Sequence, residues 1–228
     1  MSEEDDLVGD IFGWVGTAIS ICFFIAPIVP FSKLIKEEIE WKDIPGVLLI
    51  CSLLNCVLWL NYGLLLNRFI VYFSNGVGGA ITLIFITIYL IHASNKKFGF
   101  AILYTLILIA VLTGLDLLFF KLVPYDWTGK IVLVFNVLMY AAPGEKILIV
   151  FRSWNYNLIP IWSTFAGIAC STCWFIYGIY LIDWYIMIPN VLGILFSIFQ
   201  IFVFFIFKNK KKKFKRENKE NDDDEAEV

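Results

Sequence analysis

The stretch LWLNYGLLLNRFIVYFSNGVGG at residues 58–79 places a Trp, a Tyr-Gly pair and an Asn-Gly pair inside otherwise apolar sequence. Leu or Ile at these positions would enter a membrane more easily, because polar side chains are costly in hydrocarbon. The segment CWFIYGIYLIDWYIMIPNVLG at residues 173–193 has the same arrangement. A shift of 115 residues aligns the Trp, the Tyr-Gly pair and the Asn of the two segments. These polar residues are therefore a repeated feature of the chain.

The composition indicates a membrane protein. The chain of 228 residues is 60% hydrophobic and 17% charged, whereas soluble domains are typically ~45–50% apolar and ~25% charged. The excess lies in apolar runs close to the ~20 residues that a helix needs to cross a membrane. The runs are 11–31, 44–66, 69–92, 98–120, 131–151, 158–182 and 184–207. They predict an all-α integral membrane protein with seven transmembrane helices.

The repeat extends beyond the two quoted segments. The 115-residue shift also pairs Pro45 with Pro160, and a shift of 116 pairs Pro27 with Pro143. Spans 1–3 and 5–7 are thus two copies of one unit, and the fourth span has no counterpart. One helix between the copies gives them the same orientation, as in transporters built from parallel repeats. We predict a 3+1+3 arrangement, two triple-helix bundles joined by a linker helix.

The spans define a domain organisation. We expect an N-terminal segment at 1–10, a first triple-helix bundle at 11–92, a linker region at 93–126 with its span at 98–120, a second bundle at 127–207 and a disordered tail at 208–228.

The basic residues predict the orientation in the membrane, because cytosolic loops carry an excess of Lys and Arg. One set of span ends carries Lys33, Lys36, Lys42, Lys96, Lys97, Lys146, Arg152 and the basic tail. The opposite ends carry only Arg68, Lys121 and Lys130. We therefore expect an extracellular or luminal N-terminus and a cytosolic C-terminus. Both the plasma membrane and an endomembrane agree with this orientation.

The repeated Trp and Asn residues predict a binding site at mid-membrane. In a hairpin of spans 2 and 3 with its tip at Asn67, Trp59 and Asn75 each lie eight residues from the tip. At ~1.5 Å per residue they reach the same depth, about 12 Å below the tip. Trp174 and Asn190 have equivalent places in the second copy. A lone Asn is more typical of an interhelical hydrogen bond, but the duplicated set favours a substrate site.

The chemistry of that set suits a sugar. An indole ring offers a flat apolar face with one N–H at its edge, and an amide supplies both donors and acceptors. The apolar face of a sugar ring can stack on the indole while its hydroxyl groups bond to the amides. We predict Trp59, Asn75, Trp174 and Asn190 as substrate-binding residues.

The four repeated prolines suggest hinges. Proline has no N–H and frees the carbonyl one turn earlier, so a helix can kink or bend there. Pro27, Pro45, Pro143 and Pro160 all fall toward the cytosolic ends of their spans. We predict that they narrow and widen the inner mouth, although a role as helix caps also fits Pro45 and Pro160.

The outer tips carry opposite charges at equivalent positions. Arg68 shifted by 115 residues is Asp183. We predict that these two side chains meet across the outer mouth, with Tyr62 and Tyr177 stacked below, and form an outer gate. The meeting belongs to an outward-closed state, and an exposed ion pair of this kind often contributes under ~1 kcal/mol.

Several other function classes lack their motifs. The chain has no GxSxG, HExxH or phosphate-binding loop, which are signatures of hydrolases and nucleotide-binding enzymes. The Cys170–Cys173 pair has no second pair to complete a metal site. Asp116 lies near the end of its span, so no carboxylate suits ion coupling. We expect no catalytic residue, cofactor, metal or nucleic-acid partner, and we expect passive transport with membrane lipid as surroundings.

Six motifs resemble the SWEET sugar transporters. They are FFIAPIVPFSKLIK, LLNCVLWLNYG, NGVGG, FNVLMYAAPG, CWFIYG and IPNVLG, in order from about residue 13 to 207. The resemblance implies two triple-helix bundles joined by an inversion linker helix and bidirectional facilitated sugar diffusion by alternating access. The binding residues implied are Trp59, Asn75, Trp174 and Asn190, and the proline tetrad implied is Pro27, Pro45, Pro143 and Pro160.

The resemblance also implies positions that set substrate size. They lie four residues before the motifs, at Phe23, Asn55, Met139 and Cys170. Because Phe23 and Met139 are bulky, we expect a hexose such as glucose rather than a disaccharide. The alternatives are a related PQ-loop transporter of another small solute, such as an amino acid, and a non-transporting receptor on the same scaffold. Homo-oligomerisation is expected from the resemblance alone.

Overall fold

The elements are helical throughout the part of the chain that the structure describes. The computed structural model describes residues 3–93, 122, 125–139 and 141–226, so the linker span expected at 98–120 lies outside them. The helices are α1 Glu3–Ile25, α2 Ile28–Ile35, α3 Gly46–Leu65, α4 Phe69–Ala93, α5 Tyr125–Leu138, α6 Ala141–Ser153, α7 Ile161–Leu181 and α8 Trp184–Ala226. Short 3₁₀ turns occur at Trp41–Asp43 and Tyr156–Leu158.

Five helical segments are long and apolar enough to cross a membrane. They are Leu7–Ile35, Gly46–Leu65, Phe69–Ala93, Ile161–Leu181 and Trp184–Lys210. They coincide with five of the seven apolar runs in the sequence, and the shorter apolar helix Trp127–Leu138 begins the fifth. Large apolar side chains on their outer faces are exposed, as lipid-facing residues are.

Two predicted spans are divided where proline occurs. The first span is formed by α1 and α2 with a break at Ala26 and Pro27, and the span expected at 131–151 is formed by α5 and α6. Pro27 is the N-cap of α2, and Pro143 lies in the first turn of α6. Proline is tolerated in a first turn because its missing N–H needs no intrahelical partner there. A new helix therefore begins directly after Pro27 and two residues before Pro143.

The other two prolines of the repeated set start helices, and the C-terminal tail extends the last helix. Pro45 and Pro160 are the N-caps of α3 and α7. The tail, expected to be disordered, continues α8 as far as Ala226. It is rich in Lys and Glu, which are good helix formers.

The transmembrane helices form a ring made of two halves. The first half holds α1–α4 and the second half holds α5–α8. Contacts run in order from α1 to α4, α3, α5, α8, α7 and back to α1. Among the described residues, the most extensive contacts between the halves are those of α1 with α7 and of α3 with α5, and these contacts are equivalent under the repeat. We call the end at Asn67 and Ile182 the hairpin end and the end at Pro45 and Pro160 the proline end.

Repeated glycines let each helical hairpin close tightly. A Cβ on Gly63 would lie 2.7 Å from the backbone nitrogen of Tyr72, and one on Gly178 would lie 2.9 Å from Met187 Cγ. The turns that follow have left-handed residues, Asn67 and Ile182, both at φ 53°. Asn adopts this conformation readily, whereas Ile pays roughly 1–2 kcal/mol. The Tyr-Gly pair of the sequence is thus a site of close helix approach.

Apolar packing between the halves is concentrated at the hairpin end. One buried cluster there spans both halves and contains Trp59, Tyr62, Ile70, Val71, Val132, Tyr177 and Ile186. At the proline end, the cluster of Phe31, Leu34, Ile44 and Phe85 belongs to the first half. The cluster of Ile147, Val150, Ile159, Val203 and Phe207 belongs to the second half. The described halves are therefore closed together at the hairpin end and have separate cores at the proline end.

Candidate functional site

A cavity of about 170 Å³ lies between the halves and contains all four residues predicted to bind a substrate. These are Trp59, Asn75, Trp174 and Asn190. Each half contributes one Trp from its second span and one Asn from its third, as the hairpin count predicts. The structure therefore brings the duplicated set to one cavity.

Four of the other lining residues also follow the repeat. Val71 and Ile186 line the cavity and are related by the 115-residue shift. Ser20 and Asn136 line it too and are related by the 116-residue shift. Sequence reasoning missed Ser20 and Asn136 because their residue types differ. The repeat shift applied to every polar residue in spans 1 and 5 would have found them.

The two binding-site Asn residues are held in the same way. Asn75 Nδ2 donates to the Val71 carbonyl at 2.9 Å, and Asn190 Nδ2 donates to the Ile186 carbonyl at 2.7 Å. Each bond fixes the side chain to the preceding turn of its own helix. Because an amide has two N–H donors and a carbonyl oxygen, each Asn still has a donor and an acceptor to offer a solute.

Polar contacts join the halves at the level of the cavity. On the α3–α5 side, Asn136 Nδ2 donates to Asn55 Oδ1 at 3.3 Å. On the α1–α7 side, Ser20 Oγ and Cys170 Sγ are 3.3 Å apart. The repeat relates these two pairs, so the cavity has one polar contact on each side. A third contact, from Trp174 Nε1 to Ser20 Oγ at 3.1 Å, occurs on the α1–α7 side.

The expected size-selective positions are dispersed. Asn55 lines the cavity, together with Phe24, whereas Phe23 lines a second cavity of about 260 Å³ near Pro27 and Pro45. Cys170 bonds to α1 rather than lining the cavity. Met139 follows the end of α5 and is half-buried. The Phe24 ring packs directly against α4 at Gly78, where a Cβ atom would overlap with the ring.

The hairpin end is closed by a hydrogen bond rather than by the expected ion pair. The buried Tyr62 hydroxyl donates to both Asp183 carboxylate oxygens, at 2.8 and 2.7 Å. Asp183 also accepts from the backbone N–H groups of Tyr185 and Ile186 and so caps α8. Within the described residues, no ion pair shorter than 4.0 Å joins Arg68 to Asp183. The bond from Tyr62 to Asp183 links the two halves directly.

Arg68 and Tyr177 lie beside this closure. They line an outer notch of about 410 Å³ together with Asp10 of α1. The expected stacking of Tyr62 on Tyr177 is replaced by edge contacts of Tyr62 with Trp59 and Tyr185, at ring centroid distances of 5.6 and 6.0 Å. Tyr177 makes the equivalent edge contact with Trp174, also at 5.6 Å. The four predicted gate residues thus share one end of the molecule.

The residues that the structure describes form no candidate metal site. Within them, no group of three His, Cys, Asp or Glu side chains is placed to hold an ion. All five cysteines are free. Asp116, which the sequence analysis considered as a group for ion coupling, lies outside the described residues.

Comparison with known proteins identifies the family. A family model described as "Sugar efflux transporter for intercellular exchange" matches the chain twice, at residues 10–97 and 127–212. The bidirectional sugar transporter SWEET5 of Arabidopsis thaliana is 32% identical over 81% of this chain and 80% of its own length. The bidirectional sugar transporter SWEET7 of the same plant is 28% identical over 84% of this chain and 78% of its own length.

A solved structure has the same fold. A eukaryotic SWEET transporter determined at 3.7 Å resolution superimposes with a TM-score of 0.79 and 24% identity, covering 91% of this chain and 100% of that one. The fold is accordingly the all-α, 3+1+3 arrangement of a multi-pass integral membrane protein. The two matches of the family model coincide with the two repeats, and the chain belongs to the SWEET family of sugar transporters.

Proposed function

We propose that this protein is a bidirectional, passive sugar uniporter that binds its substrate in the cavity between the two halves. The observation that carries the proposal is the convergence of Trp59, Asn75, Trp174 and Asn190 on one cavity. The names of the relatives support the same class of substrate, because they are bidirectional sugar transporters. The family consists of transporters, so no catalytic residue and no cofactor belong to this function.

The lining favours a neutral solute. Two indole rings and four Asn side chains line the cavity, and none of the described lining residues carries a charge. A cationic amino acid, which the alternative PQ-loop transporter would carry, would need a carboxylate to offset the desolvation of its charge. Sugar hydroxyl groups instead need donors and acceptors together, which amides supply.

The size of the cavity favours a hexose. Its volume of about 170 Å³ is below the ~300–1,000 Å³ typical of pockets for drug-sized ligands. Phe24 occupies one wall, supported by the absence of a side chain at Gly78. We therefore assign size selection to Asn55 and Phe24 in the cavity. Phe23, Met139 and Cys170 act through the surrounding helices in this proposal.

Alternating access follows from the unequal closure of the two ends. At the hairpin end, an apolar cluster and the bond from Tyr62 to Asp183 join the halves. At the proline end each half has its own core. Transporters built from repeats rock one half against the other around a fixed site. Pro27, Pro45, Pro143 and Pro160 start helices at the mobile end and serve as hinges in this scheme.

We place the hairpin end outside or in the lumen and the proline end in the cytosol. Lys33, Lys36 and Lys42 lie at the proline end, as does the basic start of the tail at Lys208 and Lys210. An excess of Lys and Arg marks cytosolic loops. Membrane lipid is the second partner in this proposal, and association with further copies is carried over from the family alone.

Uptake by proteoliposomes tests the function. Purified protein should equilibrate radiolabelled glucose across the membrane faster than sucrose, and lysine should not be carried. Asn190→Ala should lower glucose uptake at least tenfold, because it removes a donor and an acceptor from the cavity. Asn209→Ala, an exposed Asn on α8, is the matched control and should leave uptake unchanged. Uptake of lysine without uptake of glucose would favour the alternative of a PQ-loop amino-acid transporter. No uptake of either solute would favour a receptor.

A further inference from the structure

The two cavity tryptophans occupy equivalent positions but differ in their hydrogen bonding. Trp174 Nε1 donates to Ser20 Oγ at 3.1 Å, across the contact between α7 and α1. The repeat equivalent of Ser20 is Asn136, which donates its own amide to Asn55 at 3.3 Å. Among the described residues, Trp59 Nε1 has no protein partner. One indole N–H is thus used within the protein and the other is not.

The unused N–H of Trp59 is open to the cavity. Trp59 lines the cavity, and its nitrogen is not among the buried polar atoms without a partner in the described residues. Its ring is only 8% exposed and packs edge-on against Tyr62. The surface that remains accessible therefore includes the edge that carries the donor.

Trp174 is held more closely by the opposite half. A Cβ on Gly16 would lie 3.1 Å from Trp174 Nε1, so the indole edge rests directly on the α1 backbone. Cys170, one turn away on α7, contacts Ser20 at the same place. The repeat equivalent of Gly16 is Val132, a buried residue of the apolar cluster. The difference between the two tryptophans is therefore built into the sequence of α1 and α5.

We infer that Trp59 donates a hydrogen bond to a sugar hydroxyl, while Trp174 offers only its ring face and is positioned by Ser20. The inference rests on the proposed function, because it concerns how the same cavity recognises a sugar. The N–H of Trp174 is already satisfied, so a hydroxyl would have to displace Ser20 to reach it. A hydroxyl placed at Trp59 meets a donor with no competitor in the described residues.

The matched substitutions Trp59→Phe and Trp174→Phe test the assignment. Each removes an N–H and shrinks the ring equally, so their common effect cancels. Because a neutral hydrogen bond contributes ~0.5–1.5 kcal/mol, Trp59→Phe should raise the KM for glucose about two- to tenfold more than Trp174→Phe does. Where Trp59→Phe does not purify as a folded monodisperse protein, Trp59→Leu and its match Trp174→Leu take the place of the two Phe variants, since Leu has no donor either.

Deoxyglucose analogues separate a lost hydrogen bond from altered packing. Each analogue lacks one hydroxyl, and in wild-type protein the analogue without the contacted hydroxyl should have a raised KM. In Trp59→Phe that same analogue should be carried as well as glucose, since the partner of the hydroxyl is gone. In Trp174→Phe the full penalty should persist. If the penalty disappears in Trp174→Phe, or persists in both variants, the inference is overturned.

Ser20 is tested as a positioning residue. Ser20→Ala removes the acceptor of the Trp174 N–H, and Ser20→Thr keeps a hydroxyl, so its KM should lie closer to the wild-type value than that of Ser20→Ala. Trp174→Phe should raise the KM less in the Ser20→Ala protein than in the wild-type protein, because the bond to Ser20 is already lost there and only the change in ring size remains. Additive effects would contradict the positioning role. If the wild-type protein carries no glucose, the proposed function itself is refuted. This measurement precedes the comparison of variants, so the two failures are distinguishable.

Discussion

At the residue scale, a few polar side chains account for the polar exceptions in the membrane sequence. Trp59 and Asn75 face the cavity, and Tyr62 bonds to Asp183 of the other half. Sequence counting found these residues because depth in a hairpin depends only on the number of residues from the tip. It did not choose Phe24 over Phe23, since one residue on a helix turns the side chain by about 100°. It paired Asp183 with Arg68 rather than Tyr62, because charge alone does not give side-chain reach.

The substitution Tyr62→Phe tests the closure of the hairpin end. It removes a hydroxyl bonded to the Asp183 carboxylate, and hydrogen bonds to charged groups contribute ~1.5–3 kcal/mol. The ratio of closed to open protein should fall by about tenfold or more. The measurement is the rate at which an impermeant thiol reagent on the hairpin side labels Ser74→Cys, a cavity position, in protein without native cysteines.

Tyr177→Phe is the matched control for this change. The described residues give the Tyr177 hydroxyl no hydrogen-bond partner, so the labelling rate should stay at its original value. Equal acceleration by both substitutions would show that the bond from Tyr62 to Asp183 does not hold the hairpin end closed.

The substitution Phe24→Ala tests the size limit of the cavity. Removing the ring from the wall should enlarge the cavity enough to admit a disaccharide. Sucrose uptake by proteoliposomes should rise at least several-fold while glucose uptake persists. Phe23→Ala is the control, because Phe23 lines the cavity near Pro27 and should not change the ratio of sucrose to glucose. A larger rise in the ratio of sucrose to glucose uptake for Phe23→Ala than for Phe24→Ala would show that Phe23 sets the size limit instead.

At the element scale, close packing and helix starts explain the repeated small residues and prolines. Gly63 and Gly178 let the hairpins close, and the repeated prolines mark where helices begin. The spans were predictable because hydrophobic length is a property of local sequence. The division of the fifth span into α5 and α6 was not, since an uncharged run does not reveal where backbone hydrogen bonding is interrupted.

The substitution Gly63→Ala should destabilise the first hairpin. A methyl group there would meet the Tyr72 backbone nitrogen at 2.7 Å, and overpacking of this kind costs about 1–3 kcal/mol. The thermal unfolding temperature in detergent should fall by several degrees. Gly76→Ala in the same helix pair meets only Leu60 Cδ1 at 3.5 Å and should be neutral or slightly stabilising. A drop for Gly76→Ala as large as that for Gly63→Ala would contradict the packing argument.

At the scale of the whole molecule, two halves enclose the cavity, and the proposed mechanism rocks one half against the other. In the described part of the chain the halves meet mainly where α1 contacts α7 and α3 contacts α5, and the packing at the hairpin end holds the halves closed in this conformation. The repeat made this architecture predictable, because one unpaired helix fixes the parallel orientation of the copies. Which end is closed could not be read from the sequence, since both states use the same residues.

Crosslinks along the contact of α1 with α7 test where the motion pivots. A Cβ at Gly16 would lie 3.3 Å from Cys173 Cβ at the cavity level, and one at Gly9 would lie 2.8 Å from Tyr180 Cβ at the hairpin end. Disulfides have Cβ atoms about 3.5–4.5 Å apart, slightly farther than at these two sites. Small outward shifts of the helices should therefore let Gly16→Cys crosslink with Cys173, and Gly9→Cys with Tyr180→Cys. Oxidation should stop transport only in the hairpin-end pair, and reduction should restore it. Complete loss by the cavity-level crosslink would place the pivot elsewhere.

Counterflow of glucose tests the central claim, a passive carrier that exposes one cavity to each side in turn, most directly. Proteoliposomes loaded with unlabelled glucose are diluted into a trace of radiolabelled glucose, with proton and sodium gradients collapsed. We predict a transient accumulation of label inside above its external concentration, because loaded carriers exchange one sugar for another. The double variant Asn75→Ala/Asn190→Ala should show none. Equilibration of the label without an overshoot, or an overshoot that survives loss of both Asn residues, would contradict the account.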